Sequence, residues 1–293
     1  MRIVFIGAVA FSADALRELI AMQAEIVGVC TLSKSSFNND HIDLTTIASS
    51  AGIPAIDAID INAPETLRAI EEWIPDVIFC FGWSQLIKRP LLDLPPLGVI
   101  GFHPAALPAN RGRHPLIWAL VLGLSETAST FFFMDEGADS GDIISQQAVP
   151  ISCQDDASSL YQHITKIALS QIRHFLPSLI DGSLKRKTQS KQNVNVWRKR
   201  FRTDGQIDWR MAAESIHNLV RGLTHPYVGA HFNFEGNAIK VWRTELEDDV
   251  PINIEPGKVL ESVSKAPLIK AGIGGIRLLK IEPQVSLKSG IYL

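Results

Sequence analysis

The chain has 293 residues, a length that suggests about two domains at the usual ~100–200 residues each. Apolar residues make up 46% of it and charged residues 20%, the balance of an ordinary globular protein, so a disordered or low-complexity chain is excluded. The formal net charge of −3 excludes a molecule drawn as a whole to nucleic acid or anionic lipid.

In chain order, RIVFIG reads as a buried strand that Gly7 ends, and ADALRELIAM as a helix. AEIVGVCTL is the next strand, LTTIASSAG a helix closed by Gly52, and IPAI a short strand. PETLRAIEEW is a helix with Pro64 at its start, and Pro75 breaks it before the buried strand DVIFCFG. VIGFH and TASTFFFM are strands around the helix PLIWALVLGL. Residues 155–182 form a long amphipathic helix that Gly182 closes. Strands alternating with helices argue an open, helix-covered parallel α/β sheet. Composition changes at 183–203, where eight Lys and Arg residues, from Lys185 to Arg202, stand without an acidic one. That stretch is either a solvated connector or a strap for phosphate. DGQIDWRMAAESIHNLVRGL reads as one amphipathic helix. Five short β-type segments between 230 and 283 follow it and suggest a small barrel or sandwich. The expected division is 1–182, a linker at 183–203, and 204–293.

Cys30, Cys80 and Cys153 lack metal-ligand spacing and read as buried thiols in a reducing compartment. The charges at Asp14, Arg17 and Glu18 argue against a signal peptide, and no apolar stretch reaches the ~18 residues of a membrane span. The expectation is a cytoplasmic protein with no membrane partner.

Chemistry concentrates in two places. VIGFH delivers His103 to a strand end, where open α/β sheets bind ligands, and HPAALP then stiffens the loop. MDEGADSGDI follows a second strand and offers Asp135, Glu136, Asp139 and Asp142, with Gly137 and Gly141 to let the loop bend. An imidazole and a carboxylate from two such places make an acid–base pair. There is no nucleophile elbow, no zinc spacing and no dinucleotide fingerprint, so proton transfer and electrostatic stabilisation are favoured over covalent or metal catalysis. Gly7 suits strand-to-helix packing, and Ser12 could meet an anion at a helix start. Trp118, Trp209 and Trp242 read as core residues; His163, His174 and His217 read as surface or satisfied histidines; His225 and Tyr227 lie at a loop that could face a cleft.

His103, Leu107-Pro108, Arg111-Gly112, Pro115 and Asp139-Ser140-Gly141 together resemble the folate-dependent formyltransferases, a family that includes methionyl-tRNA formyltransferase, glycinamide ribonucleotide transformylase and the sugar N-formyltransferases. The resemblance covers nearly the whole chain. It implies an α/β fold with an open, Rossmann-like, mostly parallel sheet, helices on both faces, and a small C-terminal OB-like β-barrel domain. It implies formyl transfer from 10-formyltetrahydrofolate to a primary amine, with no metal. His103 would donate to the developing oxyanion, and Asp139 would orient His103 and help remove the amine proton. Trp83, Ser84, Gln85, Leu86, Ile87, Gly137 and Asp142 would hold the folate, largely through backbone groups. Arg111, His114 and Pro115 would meet the acceptor.

One departure stands out. The family carries an asparagine two residues before the histidine, and here that position is Gly101. Asn110 and His114, in the same loop, are the candidate substitutes, with a water or a backbone N–H as further ones. For the acceptor, the stretch TLSKSSFNNDHIDLTT has one lysine, Lys34, where tRNA-acting members carry a basic insert, and ELEDD at 245–249 is acidic. SKSSFN-x-D-x-x-D-L and G-F-H-P instead resemble the sugar branch. The leading expectation is an amino sugar, commonly linked to a nucleotide. Methionyl-tRNA is the alternative, and a catalytically impaired folate- or nucleotide-binding protein a further one. A homodimer is compatible with all three.

Overall fold

The computed structural model describes residues 1–34, 40–262 and 266–293. Part of the stretch compared with the sugar branch, residues 35–39, lies outside the described residues. By contact the chain divides into two compact units that interleave in sequence. The first comprises Met1–Gly112, Ala128–Val149 and Gln162–Trp197; the second comprises Arg113–Thr127, Pro150–Tyr161 and Arg198–Leu293.

The elements of the first unit run β1 (Ile3–Ile6), α1 (Ala10–Ala21), β2 (Ile26–Thr31), α2 (Thr45–Ser50), β3 (Ala55–Asp57), α3 (Pro64–Glu72), β4 (Val77–Cys80), α4 (Arg89–Leu92), β5 (Val99–His103) and β6 (Arg111–Gly112). After α5 (Pro115–Val121), which belongs to the second unit, come β7 (Glu126–Phe133), β8 (Ile143–Pro150), α6 (Ala157–Ile180) and β9 (Val196–Trp197). Seven strands form one sheet in the order β3-β2-β1-β4-β5-β7-β8. The pairs from β3 to β5 are parallel, and β7 runs antiparallel to β5.

Period-2 alternation sends β1 and β4 side chains to two different layers. Phe5, Phe79, Phe81 and Phe131 make an aromatic layer that Phe11 of α1 and Phe175 of α6 cover. Val4, Ile6, Ile78 and Cys80 make an aliphatic layer with Ile70 of α3 and Leu91 of α4. Helices therefore cover both faces, as expected. Gly7 lets the β1–α1 turn close, because a methyl there would lie 2.7 Å from the Phe81 carbonyl oxygen. That same carbonyl accepts the buried Ser12 hydroxyl at 2.6 Å. Ser12 is thus a tie between α1 and the end of β4, and its hydroxyl is not offered to an anion.

β8 is the edge strand that reading by pattern misses, because Gln146 and Gln147 break its apolar alternation. Cys30 and Cys80 are buried, and burial pushes the Cys80 thiol up to about 12. Cys153, expected to be buried, is exposed.

The second unit holds α5, α7 (Ala213–Leu223) and the strands β10 (Ala230–Phe234), β11 (Asn237–Glu247), β12 (Val259–Glu261), β13 (Leu268–Lys270) and β14 (Gly275–Glu282). The five strands pair antiparallel in the order β10-β11-β14-β13-β12, a chain of pairings with two edges among the described residues. Ile216, Leu219, Val220 and Leu223 of α7 recur at helical spacing and join Phe232, Ile239, Val241, Ile269 and Leu278 in one core. The helix is shorter than read from sequence: residues 206–212 lead into it through isolated bridges of Gln206 to His231 and Ala212 to Ile273. Gly222 brings α5 close to α7, where a methyl would stand 3.1 Å from Val121. Among the described residues no helix is long and apolar enough to cross a membrane.

Candidate active site

β5 carries two residues on one side of the sheet. Phe102 points into the aromatic layer, with ring centroids 4.9 Å from Phe131. By alternation Gly101 and His103 face the other way. His103 is 5% exposed, and its Nε2 donates to the Asn110 carbonyl at 2.8 Å. Asn110 adopts a left-handed backbone, φ +62°, which asparagine tolerates better than most residues. That turn brings its carbonyl back onto the ring.

Asp139 reaches the same ring by an unexpected path. Because β7 is antiparallel to β5, its C-terminal end lies beside the start of β5 rather than beside His103. The loop at 134–142 must therefore run back along the sheet. Asp135 braces it by accepting the Gly137 N–H at 3.0 Å and the Ser140 hydroxyl at 2.6 Å. Gly141 permits the return: a methyl there would lie 1.8 Å from the Phe133 carbonyl oxygen. Asp139 itself is left-handed, φ +54°. Its Oδ2 accepts the Gly112 N–H at 2.8 Å and stands 3.7 Å from His103 Nδ1. With the ring proton on Nε2, the Nδ1 lone pair faces the carboxylate, an arrangement completed by one further proton between them.

The space beside Gly101 is filled. A methyl at this position would meet Met134 Cγ at 2.9 Å and Phe132 at 3.2 Å. Met134 thus takes the volume of the missing side chain and supplies no strong hydrogen-bond donor. The carboxamide of Asn110 makes no hydrogen bond among the described residues, while its backbone N–H donates to Asn195 Oδ1 at 2.8 Å.

After β4, the Trp83 indole N–H is buried without a partner among the described residues. Gln85 uses its side chain internally, accepting from Ile61 N–H at 3.0 Å and donating to the Ile59 carbonyl at 2.6 Å. Leu86 is 65% exposed and its carbonyl accepts from Asn62, whereas Ile87 is buried. Of these residues, only Trp83 presents an unused buried side-chain donor.

Arg111 Nη2 donates to Gln189 Oε1 at 2.6 Å, and its buried Nε has no partner among the described residues. His114 and Pro115 belong to the second unit. His114 is left-handed, φ +56°, at the start of α5, and Pro115 takes the first helical position. Burial first, then the cations of Arg113, Arg200 and Lys199, hold the His114 imidazole below the usual histidine range.

In the second half of the basic segment, two of the cations are tied to one carboxylate-bearing residue. Arg198 forms a two-pronged pair with Asp204, and Arg200, buried, donates to the Asp204 carbonyl at 2.6 Å. Both guanidinium groups lie over the Trp118 ring, at 5.4 and 4.6 Å. His225, read as facing a cleft, stacks on Trp242 at 4.2 Å. Sequence reading missed Met134, Gln189 and Asn195. The last two lie in a polar run with no periodicity, where composition carries no signal for contact.

A buried histidine at the end of β5 and a carboxylate from the loop after β7 thus face each other, an arrangement suited to moving a proton. Residues 1–173 match the formyl transferase family and residues 201–288 the formyl transferase C-terminal domain. The chain belongs to the folate-dependent formyltransferase family and is a formyltransferase. Among its relatives, the methionyl-tRNA formyltransferase of Geotalea daltonii is 31% identical over 300 residues, covering 100% of this chain and 95% of its own. That of Geobacter sulfurreducens is 29% identical over 299 residues, covering 100% and 93%. Solved structures share the fold, two of them over nearly the whole chain. WlaRD, a sugar 3N-formyl transferase determined with dTDP and 5-N-formyl-THF, has a TM-score of 0.73 at 18% identity, covering 97% of this chain and 99% of its own. The N-formyltransferase of Helicobacter canadensis, determined with folinic acid and dTDP-3-aminofucose, has a TM-score of 0.73 at 16% identity, covering 95% and 98%.

Proposed function

We propose that this chain moves the formyl group of 10-formyltetrahydrofolate onto the primary amine of a nucleotide-linked amino sugar. The observation that carries the formyl-transfer chemistry is the facing of His103 Nδ1 and Asp139 Oδ2 at 3.7 Å, with each partner held from behind. The residues fit a folate: the orphaned Trp83 N–H suits a ring or carbonyl acceptor, and the exposed Leu86 and half-buried Met134 offer apolar surface. Bound there, the folate supplies an activated formyl carbon.

The roles of the protein groups follow from their commitments. His103 Nε2 is engaged by Asn110, so the free position on the ring is the Nδ1 lone pair. That lone pair would take a proton from the attacking amine, the adjacent carboxylate would stabilise the resulting imidazolium, and the imidazolium would return that proton to the donor nitrogen as its bond to the formyl carbon breaks. This differs from the expectation that His103 donates to the oxyanion. The unpaired carboxamide of Asn110 is the candidate for that task.

The amino-sugar reading is supported by charge. Lys34 is the one lysine or arginine in 32–44, and the guanidinium groups of Arg198 and Arg200 are engaged by Asp204 and Trp118. Two of the solved formyltransferases that share the fold were determined with dTDP or a dTDP-sugar. The second reading, methionyl-tRNA, is favoured by full-length relatives near 30% identity.

The test is incubation with 10-formyltetrahydrofolate, a panel of dTDP-linked amino sugars, and charged initiator tRNA, followed by mass spectrometry. A gain of one formyl group by an amino sugar is the expected result. Formylation of the tRNA instead, with affinity falling steeply in salt, would transfer the assignment to the second reading. Folate binding with no formylated product would mark a binding protein.

A further inference from the structure

We infer that Gln189 is a positioning residue of the transfer site, and that residues 186–197 act as a strap over both catalytic loops. The inference rests on the reading of His103 and Asp139 as the reacting pair.

Gln189 is 9% exposed and spends its whole amide on this site. Its Nε2 donates to the carbonyls of Asp139, at 2.8 Å, and Gly141, at 2.7 Å. Its Oε1 accepts from Arg111 Nη2 at 2.6 Å. One side chain thus links the loop that carries Asp139 to the strand whose Gly112 N–H holds the Asp139 carboxylate. The strap continues in both directions. Upstream, Lys187 and Ile143 exchange backbone bonds at 2.8 Å, and Arg186 lies 3.5 Å over the Phe133 ring. Downstream, Asn195 accepts the Asn110 N–H on its side chain and the Arg111 N–H on its carbonyl, before β9 pairs with β6.

These bonds meet a specific need. Asp139 and Asn110 both hold left-handed backbones, a state that aspartate and asparagine tolerate better than most residues but that still costs energy unless neighbours hold it. One presents the carboxylate to Nδ1 and the other presents the carbonyl to Nε2. The strap fastens each: Gln189 at the Asp139 carbonyl and Asn195 at the Asn110 amide. An amide is required at position 189, since only it donates to two carbonyls while accepting from an arginine. A carboxylate of the same shape would keep Arg111 and set a negative charge against both carbonyls.

The experiment is a double-mutant cycle of Gln189→Glu and Asp139→Asn, with formyl transfer to the acceptor found by the panel as one readout. Hydrogen exchange in the peptides covering 108–112 and 135–142 is the other. Gln189→Glu should lower kcat by about 10- to 100-fold with little change in KM for the formyl donor, because misplacement of about 1 Å is costly to reaction and not to binding. In the Asp139→Asn background the same change should cost little more, since it acts through that carboxylate. Exchange should quicken in both peptides while the melting temperature stays within a few degrees. Wild-type kcat and exchange in Gln189→Glu would overturn the inference, as would an equal loss in both backgrounds. Should Gln189→Glu fail to fold, Asn195→Ala, at an exposed position, reads the same coupling through the 108–112 peptide. Asp139→Asn at wild-type rate would remove the site reading itself, an outcome distinct from Gln189 proving silent while Asp139 matters.

Discussion

Gly101 and Met134 trade volume: where the family carries a carboxamide two residues before the histidine, a thioether lies against bare backbone. Gly101→Asn alone should cost about 1–3 kcal/mol by overpacking, since its Cβ would lie 2.9 Å from Met134 Cγ. With Met134→Ala the asparagine has room beside His103, most of that stability should return, and kcat should rise at least ~10-fold if a donor is missing. Melting temperature and turnover of the single and double variants decide it; an unchanged rate in a well-folded double variant would mean that Asn110 or a backbone N–H already does the work. At this scale the sequence was most legible. His103 before a proline at a strand end, and Asp139 between two glycines, both announce chemistry by residue type and place. Gln189 announces nothing, because its importance lies in two carbonyls some fifty residues away in the chain.

Among elements, the strands and helices of the parallel sheet follow their apolar periods, whereas the antiparallel turn of β7 had no local signature. TASTFFFM is buried along its length, so its pattern carries no direction, and the course of the 134–142 loop became visible only in the pairing of Gly101 with Phe132. The short knot at Arg198–Asp204 was equally hidden. Read as a run of cations, it is a carboxylate tied by Arg198 and by the Phe201 N–H at 2.7 Å. The Arg198 guanidinium first, with the Phe201 amide helping, holds the Asp204 carboxyl below its ordinary 3.8. A lowered carboxylate pKa contributes stability that is fully present above the unfolded value and is lost as pH falls through the folded one. Asp204→Asn should therefore lower the melting temperature at neutral pH by about 2–4 °C, the equivalent of about 1 kcal/mol, kept small by the 58% exposure of Arg198. The gap from wild type should close progressively below about pH 4. A gap that stayed constant with pH in thermal melts would deny the ion pair its role.

At the scale of the whole molecule, a reading in three consecutive segments meets two units whose segments alternate along the sequence. PLIWALVLGL, expected as a cover for the parallel sheet, packs against α7, with Gly222 clearing the way. The reason is not legible locally: an apolar helix face says that it is buried, not by what. A fragment ending at residue 203 would keep α5 and lose α7, leaving Ile117 and Val121 without the core they share with the C-terminal helix. Such a fragment should bind hydrophobic dye and aggregate, where the full chain does not. A soluble, monomeric, dye-negative fragment with cooperative melting would refute this.

The polypeptide passes from one unit to the other at 112/113, 127/128, 149/150, 161/162 and 197/198. Gly112, the first of these crossings, is also the residue whose amide grips the Asp139 carboxylate. The peptide group at which the chain first leaves the first unit is thus also the donor that holds the carboxylate facing the histidine, so a substitution that turns this peptide would also release the carboxylate.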